Sequence, residues 1–121
     1  MRPEDRDAAS LWDALQAAQR ISAYIVGMSF EDYMRSTITR SAVERELTII
    51  AEALNRLSDT AARTHSNIAI PAIIGLRNRI IHEYENVEHE RIFTIAKERV
   101  PELIEQLSAA LPSVPDPDPE Q

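Results

Sequence analysis

"SAVERELTIIAEALNRL", residues 41–57, places Val43, Leu47, Ile50, Leu54 and Leu57 at three- and four-residue steps. Side chains three and four apart in an α-helix share a face, so these five form one apolar stripe. A second stripe runs beside it through Ala42, Glu46, Ile49 and Ala53. Two stripes leave two accounts open. The helix packs on another subunit through its small alanines, or it is a central helix buried on two sides of one chain. Just upstream, "MRSTITRS" (34–41) is poor in strong helix formers, so a kink or break is expected within a helical segment spanning roughly 30–57.

The same periodicity recurs in both directions. Leu11, Leu15, Ala18, Ile21 and Ile25 form a stripe on a first helix, with Gly27 placed to stop it as the C′ residue. Ser29 is then a candidate N-cap with Asp32 three residues on, a variant of the capping box. Trp12, beside the first stripe, is expected to pack. "SDTAARTHSNIAI" (58–70) reads as a loop with at most one short helical turn. Pro71 suits the first turn of a helix running from about 71 to 85, with Asn86 able to cap it. A last helix starts near Glu88 and carries Ile92, Ile95, Leu103 and Leu107, with a kink or restart expected at Pro101. Strand-like alternation is absent. The expectation is an all-α, up-and-down bundle of four to five helices over residues 1–111. Residues 112–121, with four prolines in eight positions, form an extended tail.

Bulk composition narrows the function. With 121 residues and 44% apolar content the chain is one domain with a real core. It has no cysteine, which excludes disulfides and cysteine-built zinc sites. "MRPEDRDAAS" lacks an apolar run, so no signal peptide is expected, and nothing approaches the length that spans a bilayer. A cytoplasmic protein is the expectation. The net charge of −7 is unfavourable for gripping nucleic acid; removing the three tail acids, Asp116, Asp118 and Glu120, still leaves −4. Yet 12 of the 13 basic residues are arginine, whose planar fork suits phosphate.

The chemistry concentrates in "RNRIIHEY", residues 77–84. Histidine moves protons near neutral pH, and arginine stays charged and stabilises negative charge on a phosphate. Asparagine can orient either. Arg77 and His82 are five apart and diverge by about 140° on a regular helix. Three ways of joining them stay open: the arginine reaches round, the helix is distorted, or a second copy completes the site. Such groups suit RNA cleavage without metal, because the ribose 2′-hydroxyl supplies the nucleophile. "HEYENVEHE" (82–90) tempts a metal reading, but His82 and His89 are seven apart across a break, whereas the zinc-protease arrangement needs four. No metal and no cofactor are expected.

"RNRIIHEY" resembles the motif of the HEPN superfamily, and more narrowly the Arg-x4-His-x-Tyr form of HepT toxins, with Arg77, His82 and Tyr84 in the matching positions. "SAVERELTIIAEAL" (41–54) is similar to the long second helix of HepT-like proteins. "IPAIIGLRNRIIHEYENVEHERIFTIAKERVPEL" (70–103) is similar to their motif and last helices. The resemblance covers most of residues 8–108. It implies a homodimeric, metal-independent ribonuclease toxin of a type VII toxin–antitoxin pair. Its two motif copies would face each other across a cleft, with Arg77 and His82 catalytic and Asn78 supporting. It also implies a partner, a minimal nucleotidyltransferase antitoxin of the MntA type, that transfers AMP to Tyr84. Arg35, Arg40, Arg45 and Arg79 are candidates for contacting RNA. The rival is a non-catalytic HEPN module that binds nucleotide or RNA beside a nucleotidyltransferase.

Overall fold

The structure, a computed structural model, describes residues 2–83 and 87–112. Its elements are helical: α1 (Pro3–Ile25), α2 (Phe30–Arg35), α3 (Thr37–Asn55), α4 (Asp59–Thr64), α5 (Ile70–His82), α6 (His89–Thr94) and α7 (Val100–Ala110). One π-helical turn, Ile95–Arg99, fuses α6 and α7 into a single rod. The four long pieces are thus α1, α3, α5 and the rod, with two short helices as connectors. The expected all-α bundle is what forms, with one short helix more than foreseen. Among the described residues no helix is long and apolar enough to cross a membrane.

Local chemistry explains each boundary. Gly27 ends α1 with φ +72°, the left-handed region that a side chain would strain. Ser29 opens α2 with a full capping box: its hydroxyl accepts from Asp32 N–H at 3.1 Å, and Asp32 accepts from Ser29 N–H at 3.0 Å. The expected break in 34–41 falls at Ser36, which ends α2 and caps α3 by accepting from Thr39 N–H. The Arg40 guanidinium donates to the carbonyls of Tyr33 and Met34, satisfying the open end of α2. Pro101 cannot donate to the carbonyl four residues back. The chain absorbs that loss in the π turn, where Val100 N–H bonds the Ile95 carbonyl instead. Of the kink or restart expected at Pro101, the restart is realised: α7 opens at Val100 with Pro101 in its first turn.

The core lies where the stripes meet. Leu11, Leu15, Ala18, Ile21 and Ile25 of α1 are buried, as are Val43, Leu47, Ile50 and Leu54 of α3. Glu46 and Ala53, on the second stripe, are buried too, with α1 packed on α3 and α5 on another side of it. Ala42 and Ile49 of that second stripe are only half-buried within the chain. Glu46 is tolerated there because its Oε2 accepts from Arg20 Nε at 2.8 Å and from the Tyr24 hydroxyl at 2.9 Å. Trp12 is a correction: at 49% exposure it lies on the surface rather than in the core.

The polar stretch after α3 is pinned by Asp7. Its carboxylate accepts from Ser58 N–H at 2.9 Å and from Ser58 Oγ at 2.7 Å, while Ser58 Oγ caps α4 at Ala61 N–H. The two bonds from Ser58 hold the Asp7 carboxyl below its ordinary value. A depressed carboxyl stabilises the fold above its unfolded pKa and loses that contribution as pH falls through the folded value. Ser58→Ala should therefore cost about 1 kcal/mol at neutral pH. It should also remove part of the stability loss seen below about pH 4. Urea melts of both proteins at pH 7 and pH 3 check this; equal differences at the two pH values would refute it.

Candidate active site

The helix α5 carries the motif. Pro71 stands in its first turn, where a missing N–H is harmless. The helix ends at His82, with Glu83 out of helical conformation at φ −126°. The expected helix to about 85 is described only as far as His82 and its cap Glu83; positions 84 and 85 lie outside the described residues. Tyr84 lies outside the described residues, as do Asn86 and the tail from 113 onward.

Only Ile80 of α5 is buried outright, though the helix also holds Ile70, Ile73, Ile74, Leu76 and Ile81. Ile73, Leu76 and Ile80 turn toward the core. Arg77 sits at the edge of that inner face, its side chain 31% exposed. Its Nη2 lies 3.9 Å from Glu52 Oε1 of α3, and its Nη1 donates to Asn78 Oδ1 at 3.2 Å. Its Nε is buried with no acceptor among the described residues. Asn78, Ile81 and His82 are exposed on the outward side. Nothing in α5 is distorted enough to close the angle of about 140° between Arg77 and His82. Within one chain the guanidinium looks toward α3 and the imidazole toward solvent.

The other arginines are spread apart. Arg35 pairs with Asp32 at 3.8 Å, Arg40 is engaged at the end of α2, and Arg45 is exposed on α3. Arg79 lines a groove beside α5. Glu52 had no role in the sequence reading: no local motif marks it, and only the packing of α3 on α5 brings it to Arg77. Among the described residues no group of three or more histidine, aspartate or glutamate side chains is arranged to hold a metal ion.

The HepT-like ribonuclease sequence profile matches residues 14–110. The chain belongs to the HepT-like ribonuclease family. Its helical bundle is accordingly a HEPN bundle, and the family supports a ribonuclease activity. A protein of Caldanaerobacter subterraneus named as a candidate RNase is 32% identical over 97 residues, covering 80% of this chain and 87% of the relative. One of Thermococcus cleftensis, named as a candidate ribonuclease HepT, is 30% identical over 93 residues, 77% of this chain and 84% of the relative. A candidate RNase of Methanocaldococcus jannaschii is 25% identical over 112 residues, 93% of each chain. No solved structure matches at a significant level. For this HepT-like chain, RNA is the substrate class that the family supports.

Proposed function

We propose that the chain is a cytoplasmic, metal-independent endoribonuclease that acts as a homodimer. It is the toxin of a pair whose antitoxin is a nucleotidyltransferase. The observation that carries this reading is the divergence of Arg77 and His82 around α5. Two copies docked across the outward faces of α5 would bring Arg77 of one protomer to His82 of its partner. Ile81, 43% exposed on the outward side with Asn78 and His82, gains a partner by such docking.

In such a site the RNA supplies its own nucleophile. The 2′-oxygen attacks the adjacent phosphorus, the bond to the 5′-oxygen breaks, and the strand ends as a cyclic phosphate and a 5′-hydroxyl. His82 moves the proton between these oxygens, and Arg77 neutralises the charge that grows on the non-bridging oxygens. Asn78, bonded to Arg77, fixes the guanidinium plane. Nothing in this scheme needs a metal. Cleavage of single-stranded RNA by the purified chain should survive EDTA and vanish on mutation of the pair; cleavage that needs a divalent ion would sink the scheme.

Silencing follows from the same electrostatics. Transfer of AMP from ATP to the Tyr84 oxygen, with pyrophosphate leaving, sets bulk and negative charge two residues from His82. Incubation with the partner nucleotidyltransferase and ATP should raise the intact mass by whole AMP units in the wild type and not in Tyr84→Phe. An equal gain in both proteins would move the acceptor elsewhere.

A further inference from the structure

Between α5 and the α6–α7 rod runs a groove of about 470 Å³. Its floor is apolar, formed by Leu47, Ile50 and Leu103, and its α5 wall is low because Ala72 and Gly75 offer little side chain. One end is closed where Gln106 Nε2 donates to the Asn67 carbonyl at 3.1 Å. Beyond its other end a smaller pocket shares Leu76, Arg79 and Arg91 with it and reaches Glu83, the residue after His82 in sequence; His82 itself lines neither. The groove therefore runs alongside the motif helix, on its Arg79 side.

Its charge is unlike that of the chain. In a protein of net charge −7, Arg79, Arg91 and Arg99 all line this one groove. Neither Arg79 nor Arg91 has an ion pair among the described residues. Arg99 has Glu102 at 3.7 Å, an exposed pair that an incoming phosphate can replace. The π turn contributes, since both Ile95 and Arg99 reach the groove from it. The facing acids are Glu102 in the groove and Glu83 and Glu88 in the smaller pocket. Guanidinium forks above a concave apolar floor focus positive potential and match phosphate bidentately.

We propose that this groove is the track for the RNA strand: Arg79, Arg91 and Arg99 hold successive phosphates, and sugar and base faces lie on the apolar floor. This rests on the ribonuclease reading above. RNA is favoured over an acidic protein segment because guanidinium forks suit the phosphates of a strand, and the groove runs along the helix that carries the motif.

The test compares the full chain with Arg91→Ala/Arg99→Ala, and with Arg2→Ala/Arg56→Ala as a control that removes the same charge elsewhere. A 2′-O-methyl oligonucleotide reports binding, and a cleavable one reports KM and kcat. The groove variant should bind at least about 10-fold more weakly at low salt, with a salt slope lower by about two. Its KM should rise while kcat stays near that of the wild type. The control should match the wild type, and Arg91→Lys/Arg99→Lys should recover part of the affinity. Unchanged affinity and slope in the groove variant, with wild-type binding and cleavage intact, overturn the track and leave the ribonuclease reading standing. Unchanged RNA affinity with a halved mass in solution assigns the groove to a protein interface, which also overturns it. A wild type that neither binds nor cleaves RNA overturns both.

Discussion

Arg77→Ala and His82→Ala should each cut RNA cleavage by about 100- to 10,000-fold, with little change in stability. The size of the effect follows from the roles. Removing one preorganised donor from a developing oxyanion costs about 100- to 1,000-fold, and removing a general acid–base costs about 100- to 10,000-fold. The stability claim follows from the contacts. Arg77 reaches Glu52 only at 3.9 Å and otherwise bonds its neighbour Asn78, while His82 is exposed at the end of α5. Contacts of that kind hold about 0–1 kcal/mol. Arg77→Lys should recover only part of the rate, because lysine keeps the charge but loses the planar fork. Single-turnover cleavage beside thermal melts separates the two claims. Variants that melt like the wild type and still cleave like it would reduce the motif to a surface, and the non-catalytic module would be the better account.

The Arg77 contacts also show where sequence reading succeeds and where it stops. Features set within one turn of chain were legible. Gly27, the Ser29–Asp32 box and the break before α3 depend on neighbours three or four residues away, and all three formed as read. The end of α5 was not legible. Glu83 is an ordinary helix former, and no breaker precedes Asn86. Further along, α6 docks Ile92 and Phe93 into the core, where Phe93 meets Tyr33 with ring centroids 5.0 Å apart. Nothing within one turn of Glu83 signals that packing. Glu46 is a second case: a carboxylate on an apolar stripe looks misplaced until Arg20 and Tyr24 arrive from α1.

The candidate site divides the same way. Residue types and spacing in "RNRIIHEY" were enough to name the groups, because a helix fixes their relative angles. They were not enough to name what faces them. Glu52 is 25 positions before Arg77, and Arg91 and Arg99 sit on the rod beyond the turn. The net charge pointed away from RNA, yet its distribution on the folded chain gathers arginine along one side of α5. Formal charge sums over a surface, whereas a substrate meets the potential of a groove.

Mixing the two inactive variants should restore activity. If Arg77 of one protomer works beside His82 of the other, a heterodimer of Arg77→Ala with His82→Ala chains holds two unlike sites. One lacks both groups. The other pairs the arginine of the His82→Ala chain with the histidine of the Arg77→Ala chain, and is intact. Such a heterodimer should run at about half the wild-type rate, a gain of about 50- to 5,000-fold over either homodimer. If each chain instead closed its own site, by bending Arg77 about 140° around α5, both sites of the heterodimer would be broken and mixing would recover nothing. Co-expression with two different tags, followed by sequential purification, isolates the heterodimer for the assay. The expectation rests on the physical point that separates the alternatives: α5 is a regular helix through His82, Arg77 is held on its inner edge by α3, and His82 looks outward. A rigid helix cannot bring its own two faces together, but a two-fold axis across it can.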